Sequence, residues 1–491
     1  MQTMDYREAW ALGTYRRFDS LVAPAFYPPQ PGAVLQPAHT TRSAQLYRLS
    51  TDLPSRLLSW ADYLAGQSAQ WDADFSCQLA LFLRYLAAPQ TFEPLNSYKI
   101  HTPVPSVRCL FPYKLLVIVR EAQPVLYEYH PNYHALEKIA AGEQLTVLLG
   151  TGDFALLGVS LFWKLADKYG DFTPYPVTLE MGGLKAQAEH LCTLMGWSPA
   201  PAEAEPDVCN QQVGCLGQWE TVAFSIAAHT GCERSAIAQL PRENHQLPIW
   251  QAHADLASRF RQLRPLSEIF QAPAATSAAP RTLPTPVIND SDSAIPSLDI
   301  LQLFRRRNSG NDAFGFAPCA GAVSTNFLAQ LQQRLRQVRA RRPHSAGEES
   351  VSLWFLWLDG TSGQVGLYRE DGTRVDLPHQ GAELVRAMQA ALPNQILKFN
   401  MAAMTLSVLM TVNLPQAHQQ HGDAVLRRVH TAAGMLGQDL NLTATGFGLF
   451  SRPVRMFRES TIEHVLQVPG QLVYQVLMGF NRRTNVKLEL L

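Results

Sequence analysis

Residues 168–197 read KYGDFTPYPVTLEMGGLKAQAEHLCTLMGW, and residues 420–449 read QHGDAVLRRVHTAAGMLGQDLNLTATGFGL. Gly170, Gly182 and Gly196 of the first stretch are each matched 252 positions later by Gly422, Gly434 and Gly448 of the second (422 − 170, 434 − 182, 448 − 196). One offset kept across three glycines marks an internal repeat. Between the last two glycines of each set, Leu184, Leu191 and Leu194, and more roughly Leu436, Leu440 and Leu442, fall at helical intervals. The pattern predicts a long helix, started at a glycine, in each half of the chain.

Outward from these stretches the parallel continues. A β-rich run follows each helix, GQWETVAFSIAAH from Gly217 and GQLVYQVLMGF from Gly470. A hairpin precedes each one. In the first half LLVIVR leads to VLYEYHPNYHALEKI with a turn at Pro131-Asn132; in the second SLWFLWLDG leads to VGLYREDGTRVDL with a turn at Asp371-Gly372. Asp-Gly between apolar runs is a strong hairpin signal. Each half therefore reads as helices, a strand and hairpin, a long helix and a last strand. That order predicts an α+β fold rather than alternating βαβ units. No GxGxxG or GxxxxGK[ST] follows a strand, so neither a dinucleotide-binding nor a P-loop reading has support.

The two halves are expected at 1–270, with an N-terminal extension, and 297–491. Residues 271–296 between them are rich in Ala, Pro, Ser and Thr and read as a linker, because few of them could be buried to offset the entropy of ordering. At 491 residues the chain is long for a single core. Lys plus Arg number 41, equal to Asp plus Glu, so there is no overall field to recruit nucleic acid or an anionic membrane. The N-terminus is too charged for a signal peptide. The longest apolar stretch, around Met401–Leu414, falls short of the ~20 residues a spanning helix needs. The seven cysteines show no CxxC and no Cys/His ligand cluster, so buried free thiols, no metal and a cytoplasmic location are expected. The Trp354–Trp357 run reads as a buried strand, and the basic stretch Arg334–Ser345 as a solvated helix face.

Four segments carry a family resemblance. HTPVPSVRCLFPYKLLVIVREAQPVLYEYHPNYHALEKI (101–139) and the KYG segment with its helix (162–197) resemble SagB-type FMN-dependent azoline dehydrogenases of the nitroreductase-like superfamily. FRRRNSGNDAFGF (304–316) resembles the Arg-x-Ser-x-Arg/Lys opening of nitroreductases, and HTAAGMLGQDLNLTATGFGLF (430–450) resembles their cofactor-side helix. Proteins of this kind are homodimers with FMN at the subunit interface. The resemblance thus implies two nitroreductase-like halves forming an intrachain pseudo-dimer.

It also implies one composite flavin site. Arg306, Arg307 and Ser309, with Asn311 where a second basic residue is usual and Arg482 and Arg483 near the C-terminus, would hold the FMN phosphate from the second half. Pro105 and Ser106 would reach the flavin from the first half, with Arg108 standing where the family has Gly. A phosphate dianion needs converging donors, and arginine presents a planar fork of them; the run Arg305–Arg307 is expected at the start of a helix. In the family a Lys-Tyr pair before this Gly is catalytic, which marks Lys168 and Tyr169. Their counterparts in the second half are Gln420 and His421, so a single working site is expected. The implied activity is oxidation of thiazoline or oxazoline rings in a precursor peptide to thiazoles or oxazoles, with cyclodehydratase partner proteins. A general NAD(P)H-dependent flavin reductase and a flavin-free scaffold subunit are the alternatives.

Overall fold

The computed structural model describes residues 41–96, 98–200, 206–217, 219–232, 237–249, 298–312, 315–316, 318–319, 321, 323–360, 363–392, 400–455, 457–482 and 487–490. The linker 271–296 lies outside them. Two antiparallel sheets dominate. The first runs in the order Arg242–Pro248, Thr41–Arg48, Ala135–Ala141, Pro124–His130, Tyr113–Arg120, Phe154–Leu161, Glu220–His229 and Ser198–Pro199. The second runs Pro318–Cys319, Gln471–Asn481, Leu406–Val412, Val351–Trp357, Gly366–Arg369 and Arg374–Val375, with Phe450–Val454 also paired to Gln471–Asn481. Each sheet places a middle strand, Phe154–Leu161 or Leu406–Val412, between the hairpin's first strand and the last strand.

The repeat extends beyond the glycines that revealed it. The helices Phe75–Ala87 and Phe327–Arg339 have the same length and start 252 residues apart (327 − 75), as do the middle strands (406 − 154). Both expected hairpins form, turning at Pro131–His134 and at Asp371–Thr373, where the Asp371 carboxylate accepts the Thr373 N–H at 2.8 Å. The Trp354–Trp357 run is a buried strand, in which Trp354 Nε1 donates to Thr411 Oγ1 at 3.0 Å.

Two long helices, Pro174–Met195 and Val425–Gly446, form the centre and pack on one another. Neither starts at a glycine, contrary to the pattern read from leucines. Gly182 and Gly434 lie well inside the helices, at their crossing. A Cβ on Gly182 would sit 2.1 Å from the Thr431 carbonyl oxygen, and one on Gly434 would sit 2.0 Å from that of Leu179. Here the backbones touch, so no side chain fits, and this approach outweighs glycine's low helix propensity. Most of both helices is buried, and in Pro174–Met195, covered on nearly every side, the apolar periodicity is correspondingly weak. The second half also reaches back into the first through Leu488–Glu489, which pairs with Thr91–Phe92, and through Lys487 Nζ, 3.3 Å from Glu93 Oε1.

A buried polar network joins the long helices to the chain around them. Asp439 receives Arg342 Nη2 at 2.6 Å and Nε at 3.1 Å; Arg342 also pairs with Glu348 at 2.7 and 3.0 Å. His190 Nε2 lies 2.9 Å from Asp439 Oδ1, and the Tyr63 hydroxyl lies 2.9 Å from His190 Nδ1. The basic stretch is therefore not wholly a solvated face. Arg342 is buried because Asp439 and Glu348 meet it in the interior, and Arg341 stacks 4.6 Å over the Tyr63 ring. The cysteines also depart from expectation. All seven are free thiols, but only Cys192 and Cys209 are buried.

Three buried histidines set a pH dependence. Burial holds His134 down to about 4, His430 down to about 3, and His190 below its usual value. Between about 6.5 and 4 the unfolded chain binds protons at His134 and His430 that the folded chain does not, so stability rises with pH across that window, and the downward shift of His190 acts in the same direction. Glu180, pushed up to about 7 by burial, works in the opposite direction as it stays protonated while its unfolded counterpart ionises above about 4.5. The histidines outweigh the single carboxylate. The urea midpoint is expected to fall steadily from pH 6.5 to pH 4.5, His134 and His430 each contributing about 1.4 kcal/mol per pH unit; a flat profile would contradict the neutral, buried assignment. Among the described residues no helix is long and apolar enough to cross a membrane.

Candidate functional site

The turn between Ile100–His101 and Tyr113–Arg120 holds the first-half residues singled out from the sequence. Pro105 leads into Ser106, whose Oγ accepts the Phe111 N–H at 2.9 Å and closes the turn. Arg108 (φ 52), Cys109 (φ 53) and Phe111 (φ 47) all adopt the left-handed region. Only glycine enters that region without strain, so the side chains of Arg108, Cys109 and Phe111 must be held there by their surroundings. Beneath the turn, Glu180 from the first long helix accepts the Val107 N–H at 3.0 Å, and Lys164 Nζ donates to the Phe111 carbonyl at 2.9 Å.

Lys168 and Tyr169 end the helix Trp163–Tyr169, and Gly170 (φ 54) follows, as Gly422 (φ 55) follows Leu414–His421. Arg108 is close enough to Tyr169 to act on its phenol as a neighbouring cation. Burial raises the Tyr169 phenol above its ordinary value, and Arg108 opposes that rise. Lys168 is exposed; partial desolvation first and Arg108 second hold its ammonium below the usual lysine value. The structure therefore brings Arg108 to the Lys-Tyr pair.

The second half supplies the arginines, from the other end of a helix than expected. Ile300–Arg306 begins at Asp299, whose carboxylate accepts the Leu301 N–H at 2.8 Å and the Leu57 and Leu58 N–H groups at 2.7 and 2.9 Å. Capping by Asp299 fixes the helix start, so the arginines fall at its C-terminal end, where the helix dipole favours positive charge. Arg305 lies 5.4 Å over the Tyr85 ring and Arg306 is exposed. Arg307 is 5% exposed; Nη1 donates to Ser309 Oγ at 3.1 Å and Nη2 to the Thr102 carbonyl at 3.0 Å. Its Nε has no partner, and among the described residues no carboxylate lies within ion-pairing distance. Burial draws its pKa down to about 10. An uncompensated buried guanidinium is costly, and an anion would relieve it.

Arg452, which the sequence reading did not single out, joins this group. It donates from Nη1 to the Ser309 carbonyl at 3.1 Å, and with Arg307 it favours the thiolate of Cys109, although burial pushes that thiol up to about 11. Its signal in the sequence was a charged residue inside the otherwise buried strand run FSRPV. Asn481 Nδ2 donates to Asn308 Oδ1 at 2.9 Å, which places the strand end beside the Arg307–Ser309 segment; the next residue, Arg482, is exposed. Asn311 is placed by its backbone in the strand Asn311–Asp312, and Arg483 lies outside the described residues.

The counterpart position in the second half is built differently. His421 Nε2 lies 3.0 Å from Ser350 Oγ and 3.4 Å from Glu349 Oε1, and Ser350 Oγ also donates to Gln420 Oε1 at 3.0 Å. The segment 340–350 joins helix to strand there, where the first half has the much longer 88–112. The Pro-Ser turn has no room in the shorter connection.

No family model matches the chain, and no curated protein matches it. Solved structures do. A protein of Anabaena variabilis assigned as a nitroreductase is 16% identical and aligns over 96% of this chain and 99% of its own, with a TM-score of 0.64. A Ralstonia eutropha protein with the same assignment is 14% identical over 38% of this chain and 90% of its own, at a TM-score of 0.31. The Escherichia coli microcin synthetase McbBCD complex with truncated pro-MccB17 bound contributes a chain 14% identical over 46% of this one and 91% of its own, at 0.27. The first of these defines the class: the chain has a nitroreductase-like fold of mixed helices and antiparallel sheets.

Proposed function

We propose that the halves 1–270 and 297–491, joined by the linker 271–296, form an intrachain pseudo-dimer with one composite FMN site. In this reading the protein is a cytoplasmic FMN-dependent dehydrogenase that oxidises azoline rings in a precursor peptide to thiazoles or oxazoles, alongside cyclodehydratase partners. The observation that carries it is Arg307: a buried guanidinium from the second half, with an unpartnered Nε and, among the described residues, no carboxylate within ion-pairing distance, held against Thr102 beside the Pro105-Ser106 turn of the first half. That donor set fits a phosphate dianion. Arg452 adds charge beside it, Arg306 and Arg482 would add more from the rim, and Arg483 follows Arg482 in the sequence.

Bound FMN would supply the hydride acceptor. The chain's own residues handle the rest. Arg307 and Ser309 would hold the phosphate, and the Pro105–Ser106 turn would contribute from the first half. The Lys168–Tyr169 pair removes the proton from the ring carbon next to the carbonyl, while the hydride leaves the neighbouring ring carbon, so two hydrogens are lost and a carbon–carbon double bond completes the azole. A lysine held below its usual pKa suits that proton transfer, and Arg108 opposes the rise that burial gives the Tyr169 phenol. Reconstitution should load a single FMN per chain. Arg307→Ala should weaken FMN binding by about 1.5–3 kcal/mol, since a charge-assisted phosphate contact is lost. Two equivalents of FMN, or an unchanged dissociation constant for Arg307→Ala by fluorescence quenching, would overturn the composite site.

A further inference from the structure

Glu180 and Lys164 are the two ionisable side chains beneath the Ser106–Phe111 turn that the proposed chemistry does not use. Glu180 is 5% exposed, and burial pushes its carboxyl up to about 7; Lys164 is held below its ordinary value by the same cause. Placing two such groups in an interior is unfavourable unless their polar atoms find partners. Their hydrogen bonds go to the turn's backbone. Glu180 Oε2 takes the Val107 N–H at 3.0 Å, and Lys164 Nζ gives to the Phe111 carbonyl at 2.9 Å. Between these two points lie Arg108 (φ 52) and Cys109 (φ 53), with Phe111 (φ 47) at the far end. Left-handed residues with side chains persist only where the surroundings over-determine them.

The internal repeat supplies a control. At the same offset of 252, Glu180 corresponds to Ala432 and Lys164 to Gln416. The pair is present in the half with the turn and the Lys-Tyr pair, and missing from the half with neither.

We propose that Glu180 and Lys164 are positioning residues that clamp the two ends of this turn from beneath and so hold Arg108 beside Tyr169. The inference deepens the reading of Tyr169 as a proton-handling group, but its test does not depend on turnover. The full chain is labelled with ring-13C tyrosine, the Tyr169 signal is identified by its loss in Tyr169→Phe, and its titration is followed by NMR. Arg108→Ala should raise the Tyr169 pKa by about one pH unit or more, because a neighbouring cation is lost. Glu180→Ala should raise it as far, and the double variant no further. Glu180→Gln keeps an oxygen for the Val107 N–H and should not raise it. A direct effect of the Glu180 charge has the opposite sign, since that carboxylate raises Tyr169 and its removal would lower it. Lys164→Met releases the other end of the turn and serves if Glu180→Ala does not fold. A fall or no change in Glu180→Ala, or in Lys164→Met, overturns the proposal, as does a rise that adds in full to that of Arg108→Ala. Failure of the azoline reading would appear separately, as a wild-type protein with the Tyr169 shifts intact and no oxidised peptide.

Discussion

Lys168→Ala and Tyr169→Phe are each expected to abolish azole formation while leaving the fold and the bound FMN in place. The reason is a division between sites. Arg307 and Ser309 are held together by a hydrogen bond of 3.1 Å in the second half, whereas Lys168 and Tyr169 end a first-half helix and meet Arg108. Removing a general base typically lowers a rate by ~10²–10⁴-fold. His421→Ala, at the counterpart position, should change the rate far less, because His421 contacts Ser350 and Glu349 in a part of the fold without the Pro-Ser turn. The measurement is mass loss per ring on an azoline-containing peptide, wild type against variants. Wild-type rates in both variants would make the pair structural. A wild type that leaves azolines untouched but turns over NADPH with a quinone or nitroaromatic would establish the general reductase instead.

The second large effect is on stability. Arg342→Ala is expected to lower the unfolding free energy by about 3–5 kcal/mol, because it strands Asp439 and Glu348 in the interior. Burial disfavours the charged Asp439, yet Arg342 and His190 hold its carboxyl well below the ordinary range. Its folded pKa is depressed, so its contribution is present above about 3.9 and disappears as pH falls further. The urea midpoint of Arg342→Ala should therefore lie well below wild type at pH 7, with the gap narrowing toward pH 3. Equal midpoints at pH 7 would show that water, rather than buried side chains, surrounds the pair.

Much of the architecture was legible in local patterns. The hairpins at Pro131-Asn132 and Asp371-Gly372, the buried Trp354 strand and the last strands all form where turn chemistry and β-rich runs indicated. The candidate site was legible in part. Arg307, Ser309, Pro105, Ser106, Arg108, Lys168 and Tyr169 were all identifiable by motif. Glu180, Lys164 and Arg452 were not, since a carboxylate in a helix, a lysine in a short helix and an arginine in a strand carry no local mark of what they meet.

By itself, then, the sequence determined the repeat and the α+β order, because glycine spacing, turn residues and hydrophobic runs act through neighbours along the chain. The tertiary structure alone decided what those residues do at a distance. Gly182 and Gly434 turned out to be the crossing point of two helices rather than helix starts, because each meets a carbonyl of the other half. Arg305–Arg307 closed a helix because Asp299 opened it while also bonding the first half's Leu57 and Leu58. Arg342 left the solvated face because Asp439, 97 residues away, waits in the core. Burial and pairing of charge depend on which elements pack together, and one strand of residues read in order does not state that.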